Sequence, residues 1–205
     1  MNLSSADFGN DGDTPLSEEE LQGLKVPATN KRELNAFESQ NISLAYTKLF
    51  SRKRKHSLNK ILTISFAHQL HINLFGEVWD WAGKTRRTQK NIGLEDWHRI
   101  PIELQQTFDT TKYQIESVSR TELSIDQIAV QFAHKLVWIH PYENGNGRWS
   151  RTFADVLLTT LGGQRFTWGK ATEMEIKEIK LEYLSALKAA DATTDTAALL
   201  SIARR

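Results

Sequence analysis

A short polar stretch, His140–Arg151, lies between two apolar segments of helical period and constrains the fold more than any other feature. Before the first apolar segment, Ser124 and Gln127 have the spacing of a capping box. Pro141 predicts the end of that helix at Ile139 or His140, because the residue before a proline avoids the α conformation. The second apolar segment ends at a glycine pair, as helices often do. We therefore expect a loop that joins two buried helices.

The residues of this stretch have a joint chemical logic. Gly145 and Gly147 permit a backbone that turns several N–H groups toward one anion, at the start of a helix that also favours negative charge. Arg148 and Arg151 are three residues apart and can lean to the same side of that helix, where their planar groups suit phosphate oxygens. His140 is the nearby side chain that titrates near neutral pH. The pattern predicts a base beside a polyphosphate cradle.

The stretch resembles the signature of Fic-domain (Fido) proteins, H-x-F-x-(D/E)-G-N-G-R-x-x-R. It matches at His140, Gly145, Asn146, Gly147, Arg148 and Arg151. It departs at Tyr142, where the family has Phe, and at Asn144, where the family usually has an acid. Residues 74–86 also resemble the family's segment before its β-hairpin, and residues 181–191 its C-terminal helix. The length and the N-terminal pattern resemble the bacterial branch labelled mobile mystery protein B.

The resemblance implies a reaction and a role for each matched position. It implies a protein adenylyltransferase, an enzyme that moves AMP from ATP to a Ser, Thr or Tyr hydroxyl of a target protein. His140 would be the base, and the backbone N–H groups of Asn146 and Gly147 would stabilise charge on the phosphates. Arg148 would hold the inner phosphates and Arg151 the γ-phosphate.

The departure at Asn144 affects the expected cofactor. The family acid at this position helps to bind Mg²⁺, and a neutral amide can offer only a carbonyl oxygen. We expect Mg²⁺ with Asn144 as a ligand. Two other functions stay open: another nucleotidyl or phosphoryl transfer or the removal of AMP, and a module that binds a nucleotide without catalysis.

Many Fic proteins also carry an inhibitory helix with the pattern (S/T)-x-x-x-E-(G/N), whose Glu pairs with the second motif arginine. Residues 29–33 fit its first five positions, which makes Glu33 the first candidate to pair with Arg151. Glu38 on the same predicted helix is the second candidate. Glu33 has an alternative role within its own helix. It lies three residues after Asn30 and can complete a helix cap.

Periodicity and the resemblance together predict the all-α class, a Fic-type helical bundle of seven or eight helices with one small β-hairpin flap. Gly83 and Gly93 punctuate a segment where the helical period fails, so the hairpin is expected near 84–100, with strands at 84–91 and 94–100. In Fic proteins the corresponding flap pairs with an extended target peptide. The expected partner is therefore a target protein docked on this flap.

The N-terminal half contains the less regular parts of the chain. We expect a mobile polar tail at 1–15, N-terminal helices with an inhibitory role at 16–56, and the Fic domain at 57–205. The basic run 51–56 is interpreted as a solvated loop rather than a phosphate-backbone patch. Trp79, Trp81 and Trp97 are interpreted as core and hairpin anchors.

Two histidines outside the signature raise a further question. His68 and His71 lie three residues apart on a predicted helix, a spacing that can bind a metal. Packing or polar positioning is the favoured interpretation, because no third ligand lies near them in the sequence.

Charge and composition favour a cytoplasmic protein. Lys and Arg number 26 and Asp and Glu 25, a balance that gives no reason to expect nucleic-acid or membrane affinity. The chain has no cysteine, which excludes disulfides and thiolate metal sites. It also has no long apolar run and no N-terminal apolar region of the secretory kind, so neither secretion nor membrane spanning is expected.

Overall fold

A computed structural model describes residues 21–51, 56–90, 92–118, 123–169 and 176–205, with backbone only at 176 and 177. Within them the chain forms eight α-helices. They are α1 Lys31–Leu49, α2 Leu58–Ile61, α3 Ile64–Phe75, α4 Ile100–Glu116, α5 Ile125–Ile139, α6 Asn146–Thr160, α7 Ile176–Thr193 and α8 Ala197–Arg204. The all-α prediction is confirmed. The predicted tail and the basic residues 52–55 lie outside the described residues.

Helices α5 and α6 form the centre of the fold. They pack against each other, α4 and α8 flank α5, and α3 lies against α6. Residues from every face of α6 are buried, among them Trp149, Phe153 and Leu157. A helix that is buried all round belongs to the core of a domain. The loop between α5 and α6, which carries the polar stretch, is therefore held by the two central helices of the fold.

The ends of α5 and the start of α6 follow the local sequence signals. Ser124 Oγ accepts the Gln127 N–H at 3.2 Å, and the Gln127 side chain accepts the Ser124 N–H at 2.8 Å, which completes the predicted capping box. Helix α5 ends at Ile139, and His140 takes the left-handed conformation with φ 51°. Gly145 takes the same conformation, with φ 78°, directly before α6.

The apolar stretch from Ser57 to Phe75, whose helical period is continuous in the sequence, is interrupted in the structure. It divides into α2 and α3, and Thr63 caps the start of α3 by accepting the Phe66 N–H at 3.2 Å. A threonine side chain that bonds the backbone competes with helix continuation, which explains the break. The signal was present in the sequence but was masked by the continuous apolar pattern.

The predicted β-hairpin is not formed in the described part of residues 84–100. The regular element there is one 3-10 turn, Trp97–Arg99, which leads into α4. An isolated bridge between Leu24 and Trp79 lies outside the predicted flap. The sequence signals for turns were interpreted correctly, but the strands between them were not.

A buried arginine explains why this segment does not pair with itself. The Arg86 guanidinium is almost fully buried and donates to the carbonyl oxygens of Thr88 and Leu94. The Leu94 N–H donates to the carbonyl of Trp138 at 2.9 Å, at the end of α5. Backbone groups that a hairpin ladder would use are thus bonded to a side chain and to a neighbouring helix.

Helix α1 is fixed on α3 by a buried amide. Asn41 donates to the carbonyl of Asn73 at 3.0 Å and accepts the Glu77 N–H at 3.1 Å. Both contacts satisfy backbone groups at the C-terminal end of α3, where helices leave carbonyls without partners. This contact sets the position of α1 beside the polar stretch.

No helix in the described ranges combines the length and the apolar character that a membrane span requires.

Replacing Arg86 with Lys should lower the free energy of unfolding by about 2–4 kcal/mol, because a hydrogen bond to a charged group is worth about 1.5–3 kcal/mol and an ammonium cannot reach all the carbonyls of the fork. Urea denaturation measures this change. The matched control is Arg87→Lys, since Arg87 is exposed beside it. Equal stability of the two variants would contradict the anchoring role of Arg86.

Candidate functional site

A cleft of about 380 Å³ opens at the start of α6. All seven signature positions proposed for base, nucleotide and metal line it. They are His140, Asn144, Gly145, Asn146, Gly147, Arg148 and Arg151. Of the two candidate inhibitory residues, Glu38 lines the cleft as well, and Glu33 is not among the lining residues.

The start of α6 presents free backbone donors to this cleft. The first bond of the helix runs from the Trp149 N–H to the carbonyl of Gly145 at 2.9 Å. The N–H groups of Asn146, Gly147 and Arg148 precede it, and within the described chain they have no acceptor. Helix N-termini of this kind bind anions through their N–H groups and dipole.

The two glycines of the loop have different reasons to be glycine. A Cβ on Gly145 would lie 2.7 Å from the Phe75 ring, and its φ of 78° is a conformation that other residues rarely take. A Cβ on Gly147 would clash with nothing, since its nearest neighbour would be Arg151 Nη1 at 3.5 Å. Gly145 is thus required by the fold, whereas Gly147 keeps open the space between the helix start and Arg151.

Interior side chains hold the carbonyl groups of the loop. Arg86 Nε donates to the carbonyl of His140 at 2.6 Å, and the backbone N–H of Arg86 donates to the carbonyl of Pro141 at 2.9 Å. Asn146 Nδ2 donates to the carbonyl of Tyr142 at 2.8 Å, and Asn146 Oδ1 accepts the Tyr142 N–H at 2.9 Å. The Asn146 side chain therefore braces the loop, and only its backbone is left for a ligand.

His71 braces the same loop from α3. Its Nδ1 accepts the Gly83 N–H at 3.0 Å, so its proton lies on Nε2, which donates to the carbonyl of Asn144 at 3.1 Å. Burial lowers the pKa of His71 to about 3, which keeps the ring neutral. The two hydrogen bonds of His71 fit the positioning interpretation.

The departure from the family pattern at Tyr142 is accommodated inside the protein. Tyr142 is fully buried and stacks on His71 with the ring centres 3.8 Å apart. Its hydroxyl group meets His68 Nδ1 at 3.2 Å, so the extra polar atom has a partner. A buried hydroxyl with a partner costs little, whereas one without a partner is expensive. The contact with His68 thus explains why a tyrosine is tolerated at this buried position.

His140 lies at the edge of the cleft with one nitrogen inside the protein. Its Nδ1 is buried and has no hydrogen-bond partner. The backbone of Val137 lies close enough to raise the pKa of the ring. Burial, and then the positive charge of Arg86, lower the pKa of His140 to about 4, so the ring is neutral at pH 7. A neutral ring with its proton on Nδ1 leaves Nε2 free to accept a proton from a substrate.

The acidic candidate Glu38 reaches the first motif arginine rather than the second. One oxygen of the buried Glu38 carboxylate forms an ion pair with Arg148, and the other accepts the indole N–H of Trp79 at 2.7 Å. The sequence predicted a pairing with Arg151, whose guanidinium instead lies 5.1 Å from the Tyr183 ring centre. A carboxylate does occupy a motif arginine, but not the expected one.

Glu33 is bonded to its own helix. It accepts the Thr29 N–H at 2.8 Å and the Thr29 hydroxyl at 2.9 Å, while Asn30 Oδ1 accepts the Glu33 N–H at 3.0 Å. These bonds hold the pKa of Glu33 below its usual value. The side chain makes no contact with Arg151, so the local helix-cap interpretation describes its position.

Four lining residues escaped the sequence analysis: Lys31, Asn35, Glu143 and Lys180. Glu143 occupies the variable position of the signature, where its neighbours give no signal. It forms an ion pair with Lys90 at 2.7 Å and accepts the Thr88 hydroxyl at 3.2 Å. These contacts join the segment before α4 to the rim of the cleft.

The two glycines allow a test of the cleft that separates binding from folding. Gly147→Ala should weaken binding of ATP by at least about tenfold, since the methyl group fills the space before Arg151, and tenfold corresponds to about 1.4 kcal/mol. Stability should stay the same or rise by up to about 1 kcal/mol, because alanine favours the helix. Titration calorimetry measures the binding.

Gly145→Ala is the matched variant for folding. It should lower stability by about 1–3 kcal/mol, as expected for a strained left-handed residue. If Gly147→Ala binds ATP as the unmodified protein does, the space it fills is not the phosphate site.

Comparison with known proteins shows which family part of the chain matches. Residues 61–158 match the Fic/DOC family. A probable protein adenylyltransferase of Sinorhizobium fredii is 30% identical over 108 residues, which cover 48% of this chain and 55% of the relative. The protein adenylyltransferase VbhT of Bartonella schoenbuchensis is 26% identical over 167 residues, which cover 79% of this chain and 33% of VbhT. The chain thus spans about half or less of the length of these relatives.

Solved structures show the same fold over nearly the whole chain. The BepC protein of Bartonella tribocorum, solved with bound AMPPNP, superposes with a TM-score of 0.64 at 17% identity, covering 100% of this chain and 97% of BepC. Fic-1 of C. elegans superposes with a TM-score of 0.62 at 19% identity, covering 98% of this chain and 57% of Fic-1. The part of the chain that matches the Fic/DOC family, residues 61–158, includes the candidate site.

Proposed function

We propose that this protein is a protein adenylyltransferase that moves AMP from ATP to a Ser, Thr or Tyr hydroxyl of a target protein. The observation that carries the proposal is the cleft, where His140 stands beside a free helix N-terminus and the side chains of Arg148 and Arg151. The adenylyltransferase names of two relatives and the nucleotide analogue bound to BepC support the same reaction.

The reaction would begin with proton transfer to His140. As the target hydroxyl oxygen attacks the α-phosphorus, its proton passes to Nε2 of His140, a new P–O bond forms, and the bond from the α-phosphorus to its β-bridging oxygen breaks. Pyrophosphate leaves, and the target carries AMP. A pKa of about 4 keeps His140 unprotonated at pH 7, as a general base must be.

The charge that develops on the phosphates would be stabilised by groups already in place. The N–H groups of Asn146 and Gly147 and the positive end of the α6 dipole face the cleft and need no rearrangement. Arg148 would hold the inner phosphates and Arg151 the γ-phosphate through their planar forks. In this proposal the protein acts mainly through position and electrostatics.

The residues present do not fit the Mg²⁺ site that the family resemblance predicts. Asn144 has no charge, and its Oδ1 accepts the Gly145 N–H at 2.6 Å. The Glu143 carboxylate is paired with Lys90. Mg²⁺ is usually bound through one or two carboxylates together with phosphates. The steps proposed above accordingly use only groups of the protein.

The target protein would dock on the segment between α3 and α4. Thr88 and Lys90 of this segment bond Glu143, three residues from the base, so a chain lying on it would pass close to His140. The exposed Ile92 offers an apolar contact beside them. Docking would therefore use an irregular segment braced by Arg86 rather than a hairpin edge.

Glu38 would restrain the enzyme by occupying Arg148. A carboxylate that holds the guanidinium takes donor groups that the phosphates of ATP need. Because the buried Glu38 is also bonded to Trp79, it does not simply swing into solvent. The proposed inhibitory residue is therefore Glu38 and not Glu33, the first candidate from the sequence.

Transfer of label from ATP tests the proposed reaction. With ATP labelled at the α-phosphate the protein should label itself, and His140→Ala should lower the rate by about 10²–10⁴-fold, the usual contribution of a general base. ATP binding should persist in the variant, because backbone and arginine groups make the cradle. His98→Ala is the control, since His98 is an exposed histidine away from the cleft.

The position of the label separates the alternatives. Labelling from γ-labelled ATP but not from α-labelled ATP would favour a phosphoryl transfer. Unchanged labelling by His140→Ala would refute the proposed mechanism.

The restraint by Glu38 can be tested without removing its structural contact. Glu38→Gln keeps an oxygen for the Trp79 indole but removes the charge that holds Arg148. Self-labelling and ATP affinity should both rise, by about tenfold if the ion pair is worth about 1.4 kcal/mol. Glu33→Gln, the matched control on the same helix, should leave both unchanged. A faster rate in the Glu33 variant, with none in the Glu38 variant, would reverse the assignment.

A further inference from the structure

Position 144 of the cleft carries a neutral amide, where the family signature has a carboxylate that helps to bind Mg²⁺. We infer that Asn144 binds the nucleotide phosphates directly through its side-chain amide, and that the cleft takes ATP without a resident divalent cation. The inference rests on the proposed use of ATP and concerns how its phosphates are recognised. It is carried by the orientation of one amide and by the bonding of the nearby carboxylates.

The orientation of the Asn144 amide follows from its neighbour. The Gly145 N–H lies 2.6 Å from Oδ1 of Asn144. An N–H group requires an acceptor, so the oxygen of the amide must face Gly145 and the nitrogen must face away from it. Asn144 lines the cleft, and no acceptor in the described chain is paired with its Nδ2. The part of the amide left for a ligand is a donor of two hydrogen bonds.

The backbone oxygen of Asn144 is occupied as well. It accepts the Nε2 proton of His71 at 3.1 Å, and the tautomer of that ring is fixed because Gly83 donates to the opposite nitrogen. Both oxygens of Asn144 thus already accept an N–H group. A cation in the cleft would have to compete with these bonds, whereas a phosphate oxygen would not.

The two carboxylates that line the cleft are bonded to other groups. Glu143 is paired with Lys90 at 2.7 Å, and both of its oxygens accept the Thr88 hydroxyl at 3.2 Å. Glu38 is shared between Arg148 and the Trp79 indole. Every oxygen of both carboxylates thus already accepts a donor, so Mg²⁺, which is usually held through carboxylates, would have to share these oxygens with positive, N–H or O–H groups.

The charges of the lining residues point the same way. Lys31, Arg148, Arg151 and Lys180 contribute four positive side chains, against the two carboxylates of Glu38 and Glu143. A surplus of cations beside a helix N-terminus attracts phosphate groups without a bridging metal. An aspartate at position 144 would add a negative charge beside those phosphates and would need a cation to screen it.

Nucleotide binding in two media tests the inference. Titration calorimetry would measure the Kd for ATP in excess EDTA and in excess Mg²⁺, for the full chain and for Asn144→Asp. Aspartate can still accept the Gly145 N–H, so the variant should keep the loop. The unmodified protein should bind with Kd values that agree within about threefold, less than 1 kcal/mol apart. Asn144→Asp should bind at least about tenfold more weakly in EDTA and recover in Mg²⁺.

The control is Asn144→Ala, which removes the donor, together with the acceptor for the Gly145 N–H, without adding charge, and should weaken binding equally in both media. The same titrations in a Glu38→Gln background keep affinities measurable if Glu38 limits access to Arg148.

Each outcome decides a separate point. Binding by the unmodified protein that needs Mg²⁺ overturns the inference and leaves the proposed transfer intact. Equal Kd values in EDTA for Asn144→Asp and the unmodified protein overturn it too. Metal-independent binding without any transfer of α-label supports it while refuting the proposed enzyme. If ATP binds in neither medium, both are refuted.

Discussion

The site depends on where the carbonyl groups of one loop point. Between α5 and α6 the oxygens of His140, Tyr142 and Asn144 are all held by buried side chains, those of Arg86, Asn146 and His71. A peptide group whose oxygen is fixed in the interior has little freedom to turn. The loop consequently enters α6 in one orientation, and the first N–H groups of the helix face the cleft. The N–H groups proposed to bind phosphate are thus positioned by contacts in the interior.

Local signals made much of this fold readable from the sequence. The capping box at Ser124, the helix end before Pro141 and the turn at Gly145 each depend on residues within a few positions, and each is found where it was expected. The long-range outcomes were not readable. Arg86 falls in the predicted strand 84–91, and nothing beside it in the sequence shows that distant carbonyls will surround it.

The two candidate inhibitory residues also show that long-range contacts were not readable from the sequence. Glu33 fits a family pattern but is bonded to its own helix, and the local alternative for it was visible in its spacing from Asn30. Glu38 fits no short pattern. Its role depends on Trp79 and Arg148, which are remote in sequence and meet only when α1 packs on α3. Position in a motif was a weaker guide than the tertiary partners of the carboxylate.

The two departures from the family signature have different physical consequences. Tyr142 adds a hydroxyl in the core, where His68 bonds it and the change has no effect on the cleft. Asn144 removes a charge at the surface of the cleft, where the lining carboxylates of the described residues, Glu38 and Glu143, are each paired with a cation. A change in the interior is absorbed by packing, whereas a change at the site alters what the site can hold.

The Glu38 carboxylate connects ligand binding to the N-terminal helix through a thermodynamic cycle. A ligand that draws Arg148 away from Glu38 weakens one attachment of α1, and anything that detaches α1 frees Arg148 for a ligand. The two effects must be equal in free energy, because coupling between sites is reciprocal. If the cleft binds ATP as proposed, a protein that displaces α1, or a mutation that loosens its attachment, would consequently change nucleotide affinity without touching the cleft, and the nucleotide would in turn loosen α1.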